Sequence, residues 1–168
     1  MKTLLIGMGN PILTDDAVGV RLAHDIGQRL AGTPDLSIME ECSVGGLNIL
    51  EVVQGYERLI VLDSIRTTGG TPGDWHRFTS RALHNTMNLN NIHDVNFATA
   101  MELGRRMGIP LPSEDNIHIF AVEVHDIITF SETMSPQLEG AYAEFSRGIL
   151  REIEGILEEK GIEDVKST

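Results

Sequence analysis

The sequence predicts an α/β fold in which a twisted, mainly parallel sheet of five strands lies between helices on both faces. Short apolar runs, typical of strands that are covered on both faces, alternate with segments of helical periodicity. The chain has 168 residues and 41% hydrophobic content, which is enough for one core but too little for two ordinary domains. We expect residues 1–168 to form a single domain, with residues 161–168 as a frayed tail.

The first half of the chain predicts alternating strands and helices. Residues 4–6 and 59–62 are continuous apolar runs, typical of buried strands, and the second run ends at Asp63. Residues 37–39 predict another strand, and residues 47–53 predict a short helix. A longer helix is predicted from Ala17 to the breakers Gly32 and Pro34. Its apolar face consists of Val18, Leu22, Ile26 and Leu30.

The second half predicts two more strands and two more helices. Residues 75–78 predict an edge or hairpin strand, residues 117–124 predict the last buried strand, and residues 84–91 form an asparagine-rich loop of functional type. The third helix is predicted from the apolar side formed by Phe97, Ala100, Met101, Gly104 and Met107. A long final helix is predicted after Ser135 and Pro136, which have the residue types of a helix cap and a first turn.

Composition excludes several classes of partner. The formal charge of −12, from 25 acids and 13 bases, opposes binding to nucleic acid or to anionic membrane surfaces. The single cysteine, Cys42, cannot form an intramolecular disulfide. We find neither a signal peptide nor a membrane span in the sequence and expect a soluble cytoplasmic protein without membrane insertion.

The most informative motif is GMGNPILTDDAVGV, which joins the first strand to the first helix. Gly7 and Gly9 allow a tight turn and a close approach of the backbone, as in dinucleotide-binding folds. However, Asp15 and Asp16 occupy the helix start where a pyrophosphate would bind, so their charge favours a cation over an anion. Because consecutive residues at a helix start point in different directions, we expect Asp15 to cap the helix and Asp16 to face the crevice.

The predicted ends of elements place Asp16, Asp63 and His93 where they can share one crevice. Ligands of open α/β sheets bind at the carboxyl ends of the strands. Two carboxylates and one imidazole suit a divalent transition metal such as nickel, zinc or iron and leave coordination positions open. Each residue also fits an ordinary role, as a helix cap or a polar loop residue. Their joint placement is what favours a site.

These motifs resemble the hydrogenase maturation endopeptidases. The resemblance rests on the first motif, Gly45-Gly46-Leu47, the strand end at Asp63-Ser64, His93-Asp94 before a helix, and Ser135-Pro136, in the family's order from Lys2 to about Glu158. It implies an aspartic-type endopeptidase, a hydrolase that removes the C-terminal extension of a nickel-iron hydrogenase large-subunit precursor after nickel insertion.

The same resemblance implies roles for individual residues. Asp16, Asp63 and His93 correspond to the catalytic and metal-contacting residues of the family, and Gly45 and Gly46 to an element near its substrate cleft. The nickel would be presented by the substrate, although another divalent cation also fits the site. His125 stands where the family often has proline, and it is either an extra contact or a polar loop residue.

Three other functions are compatible with parts of the sequence. A non-catalytic checkpoint or chaperone would use the same three ligands to bind a nickel-loaded precursor without cleaving it. A nucleotide-binding oxidoreductase would use Gly7 and Gly9, but Ile12 takes the place of the third glycine and Pro11 interrupts the motif. A cysteine protease would use Cys42, which is more typical of a small packing residue.

Overall fold

The computed structural model describes residues 1–79 and 96–159, and in these ranges it contains one five-stranded sheet. The strands, which lie in the order β2-β1-β3-β5-β4, are β1 (Thr3–Met8), β2 (Leu36–Cys42), β3 (Arg58–Ile65), β4 (Trp75–Thr79) and β5 (Ile117–Glu123). All neighbouring pairs are parallel except β4 with β5, which is antiparallel at the edge. The predicted fold class and the edge strand are therefore confirmed.

Helices cover both faces of the sheet. They are α1 (Val18–Arg29), α2 (Ile49–Val53), α3 (Phe97–Arg106) and α4 (Pro136–Glu158). One hydrophobic core joins α1 and α4 to the sheet, and a second core joins α2 and α3 to the opposite face. The apolar positions predicted for α1 are buried, which confirms its amphipathic periodicity, and α4 also buries one apolar side, which includes Leu138, Tyr142 and Ile149.

Alternation along β3 explains why its sequence is apolar without a break. Ile60 and Leu62 pack in the core of α1 and α4, whereas Leu59 and Val61 pack in the core of α2 and α3. A central parallel strand buries both of its faces, so each position needs an apolar side chain. The same alternation assigns the next two residues, Asp63 and Ser64, to opposite faces.

Several predicted boundaries are wrong. β3 does not end at Asp63 but continues to Ile65, because Asp63, Ser64 and Ile65 still pair with β5. The strand predicted at residues 37–39 extends to Cys42. Met107 does not join the buried side of α3, since the helix ends at Arg106 and the side chain of Met107 is 66% exposed.

The order of the strands predicts a crevice at one place. From β1 the chain passes through α1 to β2 on one side, and β3 then pairs with the other side of β1. Ligands of open α/β sheets bind where the strand order reverses in this way, outside the carboxyl ends of the strands. The carboxyl ends of β1 and β3 are therefore the expected place for a site.

None of the helices in the described ranges is long and apolar enough to cross a bilayer. The asparagine-rich loop at residues 84–91, His93 and the tail at residues 161–168 lie outside the described residues.

Candidate active site

Asp16 and Asp63 meet at one residue, Ser64. The Ser64 hydroxyl donates to Asp16 Oδ1 at 3.2 Å, and the Ser64 amide donates to Asp63 Oδ1 at 2.7 Å. Both carboxylates are buried. The structure thus brings these two predicted site residues to the same end of the sheet, although they are 47 positions apart in the chain.

The loop after β1 holds Asp16 in place. Asp16 lies in a short 3-10 helix, Thr14–Ala17, that leads directly into α1. The backbone amide of Asn10 donates to Asp16 Oδ2 at 2.9 Å. Gly9 has a φ of +132°, and a Cβ at this position would lie 2.0 Å from the carbonyl oxygen of Asp16. The glycine predicted to allow a tight turn is therefore required for the loop to pack against Asp16.

Asp15 does not cap the helix that follows it, so this prediction is wrong. Its Oδ2 accepts hydrogen bonds from the amides of His125 and Asp126 at 3.1 and 3.0 Å, and its Oδ1 accepts one from the Ser135 amide at 2.7 Å. The Ser135 hydroxyl also donates to Oδ2, at 2.9 Å. Asp15 is completely buried and ties the loop before α1 to the segment between β5 and α4.

Ser135 precedes α4 as predicted, but its side chain makes no capping hydrogen bond to that helix. The hydroxyl reaches Asp15 instead. Pro136 occupies the first turn of α4 as predicted.

The metal site stays a prediction. Within residues 1–79 and 96–159, no three His, Cys, Asp or Glu side chains are grouped so that they could hold a metal ion. His93, the third predicted ligand, lies outside these ranges. What the described structure provides is the carboxylate pair, whose oxygens suit a divalent cation.

Gly45 and Gly46 follow the carboxyl end of β2. Gly45 is exposed and extended, and Gly46 has a φ of +59° and begins the short 3-10 helix Gly46–Asn48 before α2. The glycine pair therefore leads into the helical layer on the face of the sheet that carries Asp63. Its predicted contact with substrate stays a prediction.

Cys42 has the environment of a packing residue. Its side chain is buried in the core of α2 and α3, and this burial raises the pKa of its thiol. A nucleophilic cysteine needs the opposite shift, toward the thiolate. The geometry therefore disfavours the cysteine protease reading.

The sequence motifs assign no role to Ser64 or to Glu123. Glu123, the last residue of β5, is buried and accepts hydrogen bonds from the amide of Thr67, at 3.2 Å, and from its hydroxyl. His76 Nε2 lies 3.2 Å from Glu123 Oε1. Glu123 directly follows a buried apolar run, which is a signal for a role at that position, whereas Ser64 comes after Asp63 and has no such signal.

Comparison with known proteins defines the class to which this fold is similar. The fold is that of the hydrogenase maturation endopeptidases: the structure of HybD from Escherichia coli has 21% identity and a TM-score of 0.74 over 96% of this chain and 94% of its own. HybD from Thermococcus kodakarensis, a NiFe hydrogenase maturation protease, has 16% identity and a TM-score of 0.61 over 94% of this chain and all of its own.

A particular relative is found by sequence. The hydrogenase 2 maturation protease of Escherichia coli (strain K12) is 33% identical over 73 residues, which is 44% of this chain and 44% of that protein. The match thus spans less than half of the curated relative. No family model matches the chain. The resemblance to the hydrogenase maturation endopeptidases that the motifs indicate is confirmed by these proteins.

Proposed function

We propose that this protein is an endopeptidase that removes the C-terminal extension from the large-subunit precursor of a nickel-iron hydrogenase, in the cytoplasm, once nickel is inserted. The observation that carries the proposal is the pair of buried carboxylates held on either side of Ser64 at the reversal of strand order. The similarity to a hydrogenase 2 maturation protease supports the choice of substrate class.

In this proposal the nickel belongs to the substrate. Asp16 and Asp63 contact the nickel ion of the precursor together with His93, and Gly45 and Gly46 contact the peptide. A cation that contacts both carboxylates would neutralise negative charge that is buried at this end of the sheet. A precursor without nickel lacks this attraction and binds weakly, so that cleavage follows metal insertion.

Three routes for peptide hydrolysis fit the carboxylate pair. The nickel ion polarises the scissile carbonyl, the nickel ion activates a water molecule, or one carboxylate acts as a general base on water. Each route needs the carboxylates fixed in position. The hydrogen bonds from Asn10 and Ser64 provide the fixed position.

Mass spectrometry of the large-subunit precursor tests the proposal. The precursor, with or without nickel, is incubated with wild-type protein, and we expect loss of the C-terminal extension only from the nickel-loaded form. Asp16→Asn, Asp63→Asn and His93→Ala should each slow cleavage by about 100-fold or more. Asp115→Asn, at an exposed site before β5, is the matched control and should cleave at the wild-type rate.

Thermal melts of all four variants separate loss of function from loss of folding. Full cleavage by a folded Asp16→Asn variant contradicts the assigned site. Nickel-dependent binding of the precursor without any cleavage by the wild-type protein contradicts the peptidase proposal and favours the non-catalytic checkpoint.

A further inference from the structure

Three apolar side chains are exposed beside the candidate site. Ile12 is 46% exposed, Ile128 is 78% exposed and Phe130 is 80% exposed. Ile12 lies in the loop between β1 and α1, and the other two lie in the segment between β5 and α4. We call these three residues the apolar ledge. Grouped apolar side chains on a surface commonly mark an interaction site.

Backbone hydrogen bonds join the two segments that carry the ledge. The Ser131 amide donates to the carbonyl of Ile12 at 3.0 Å, and the Thr14 amide donates to the carbonyl of Ser131 at 3.1 Å. The Thr14 hydroxyl donates to the carbonyl of Thr129 at 2.5 Å. Ile12 and Phe130 are thereby held side by side, each on its own segment.

Asp126 fixes the turn that carries Ile128. Its Oδ1 accepts hydrogen bonds from the amides of Ile128 and Thr129, both at 3.0 Å. Hydrogen bonds from Thr129 and from the Ile128 amide hold the pKa of the Asp126 carboxyl below its usual value. A ledge fixed in this way loses little backbone entropy when a ligand binds.

Hydrogen bonds connect the ledge to Asp16. The Ile12 amide donates to Asn10 Oδ1 at 3.1 Å, and the Asn10 amide donates to Asp16 Oδ2 at 2.9 Å. Asp15 binds the amides of His125 and Asp126 at the start of the other segment. A peptide lying on the ledge is therefore beside Asp16.

The two segments that carry the ledge contain acidic residues but neither lysine nor arginine. Asp126 and Glu132 flank Ile128 and Phe130 in the sequence, and residues 9–17 and 124–135 have no lysine or arginine. The whole chain carries a formal charge of −12. An acidic partner would be repelled, whereas lysine or arginine beside apolar residues complements both features of the surface.

We propose that the apolar ledge binds a segment of the large-subunit precursor, adjoining the bond to be cleaved, in which apolar residues stand next to lysine or arginine. This inference rests on the proposed function and adds a specificity surface to it. The apolar side chains of the segment pack on Phe130, Ile128 and Ile12, and its cationic side chain lies near Asp126 and Glu132.

Initial rates of cleavage of the nickel-loaded precursor test the ledge. The double variant Ile128→Ser/Phe130→Ser should raise KM about tenfold or more, with kcat changed by less than about twofold. Its melting temperature should stay near that of the wild type, because both side chains are mostly exposed. Met107→Ser is the matched control, because Met107 is also exposed but lies far from the ledge. Met107 follows α3 and is near Pro110, whose carbonyl accepts a hydrogen bond from the Gly55 amide at the opposite end of the sheet.

A second pair of substitutions tests the charge. Asp126→Asn keeps an oxygen acceptor for the amides of Ile128 and Thr129, so combining it with Glu132→Gln removes charge and preserves the turn. This variant should raise KM about threefold and weaken the dependence of KM on salt.

The outcomes distinguish failure of the ledge from failure of the proposed function. Wild-type cleavage with an unchanged KM in Ile128→Ser/Phe130→Ser overturns the ledge and leaves the endopeptidase proposal standing. An equal rise in KM for Met107→Ser also overturns the proposal that the ledge binds the precursor. If sedimentation shows a wild-type dimer that becomes monomeric in the double variant, the ligand is a second copy and the inference is wrong. If the wild-type protein cleaves no precursor, both proposals fail.

Discussion

The end of the sheet where the parallel strands finish, here called the carboxyl edge, buries carboxylates, whereas the end where they start, here called the amino edge, buries the guanidinium of Arg58. At the carboxyl edge, Asp15 is completely buried and accepts from three backbone amides and one hydroxyl. At the amino edge, Arg58 is buried at the start of β3, and among residues 1–79 and 96–159 its Nε has no hydrogen-bond partner. His118, near the start of β5, lies 3.4 Å from the guanidinium of Arg77.

The direction of the helices accounts for this difference. α1 begins just after the acids of the first loop, and α4 begins at Pro136, beside Asp15. Helix N-termini carry partial positive charge and unpaired amides, and both features stabilise carboxylates. α4 ends near the amino edge, where Glu159 interacts with Arg58 and His118. In a parallel α/β fold the helix N-termini lie at the carboxyl edge, so this edge supplies the hydrogen-bond donors that stabilise buried carboxylates.

The largest effect on stability is expected for Asp15→Ala. The substitution leaves three buried amides and a hydroxyl without their acceptor, so the free energy of unfolding should fall by about 3 kcal/mol or more. Urea unfolding followed by circular dichroism measures this loss, and Asp15→Asn, which keeps one oxygen, should lose less. A fall below about 1 kcal/mol, as for an ordinary helix cap, would contradict the role as a buried anchor.

The second-largest loss of stability is expected where the backbone is closely packed at the carboxyl edge. A Cβ on Gly19 would lie 2.3 Å from the carbonyl oxygen of Met8 and 2.4 Å from that of Leu62, so Gly19→Ala should cost about 2 kcal/mol. Gly155→Ala, in α4, meets open space and should stabilise the protein by about 0.5 kcal/mol. Thermal melts of the two variants measure the contrast, and equal melting temperatures would be inconsistent with it.

At the amino edge, His118 should make the stability of the protein depend on pH. Burial, together with Arg77 and Arg58, lowers the pKa of His118 from 6.5 to about 4. Because the unfolded chain then binds the proton more readily, stability is full above pH 6.5 and falls as the pH drops toward 4. Allowing for partial exposure of the ring, we expect a loss of about 1 kcal/mol between pH 7 and pH 5.

Substitution of His118 isolates this contribution. Unfolding in urea at both pH values should show a smaller loss for His118→Gln than for the wild type. His24 is the control: its pKa is raised by the hydrogen bond to Glu40, so it contributes stability that is lost as the pH rises. His24→Gln should therefore leave the acid-side loss in place. An unchanged loss in His118→Gln would refute the assignment.

The smallest effect is expected for Arg58→Met. Met retains most of the buried stem of Arg58 and removes a guanidinium whose buried Nε has no hydrogen-bond partner among the residues that the structure describes. The free energy of unfolding should change by less than about 0.5 kcal/mol. Urea unfolding measures the change. A loss comparable to that of Asp15→Ala would mean that buried charged side chains contribute equally to stability at the two edges.

Local patterns predicted most of the fold because each strand and helix buries a face that its own sequence specifies. The run at residues 59–62 reveals a strand covered on both faces, and Leu138 and Ile149 mark the buried side of α4. The end of β3 could not be found in this way. Asp63 ended the apolar run, yet the strand continued because β5 supplied hydrogen-bonding partners for it.

The sequence by itself determined the α/β architecture, the acidic loop after β1 and the resemblance to the hydrogenase maturation endopeptidases, since these depend on periodicity and on motifs within short stretches. Only the tertiary structure decided which of the two acids, Asp15 or Asp16, anchors the loop and which lies at the candidate site. Asp15 and Asp16 are adjacent and chemically alike, but one accepts from the segment between β5 and α4 and the other reaches Ser64. Those partners lie 48 to 120 residues away, and contacts over such separations exist only once the sheet has brought the carboxyl ends of its strands together.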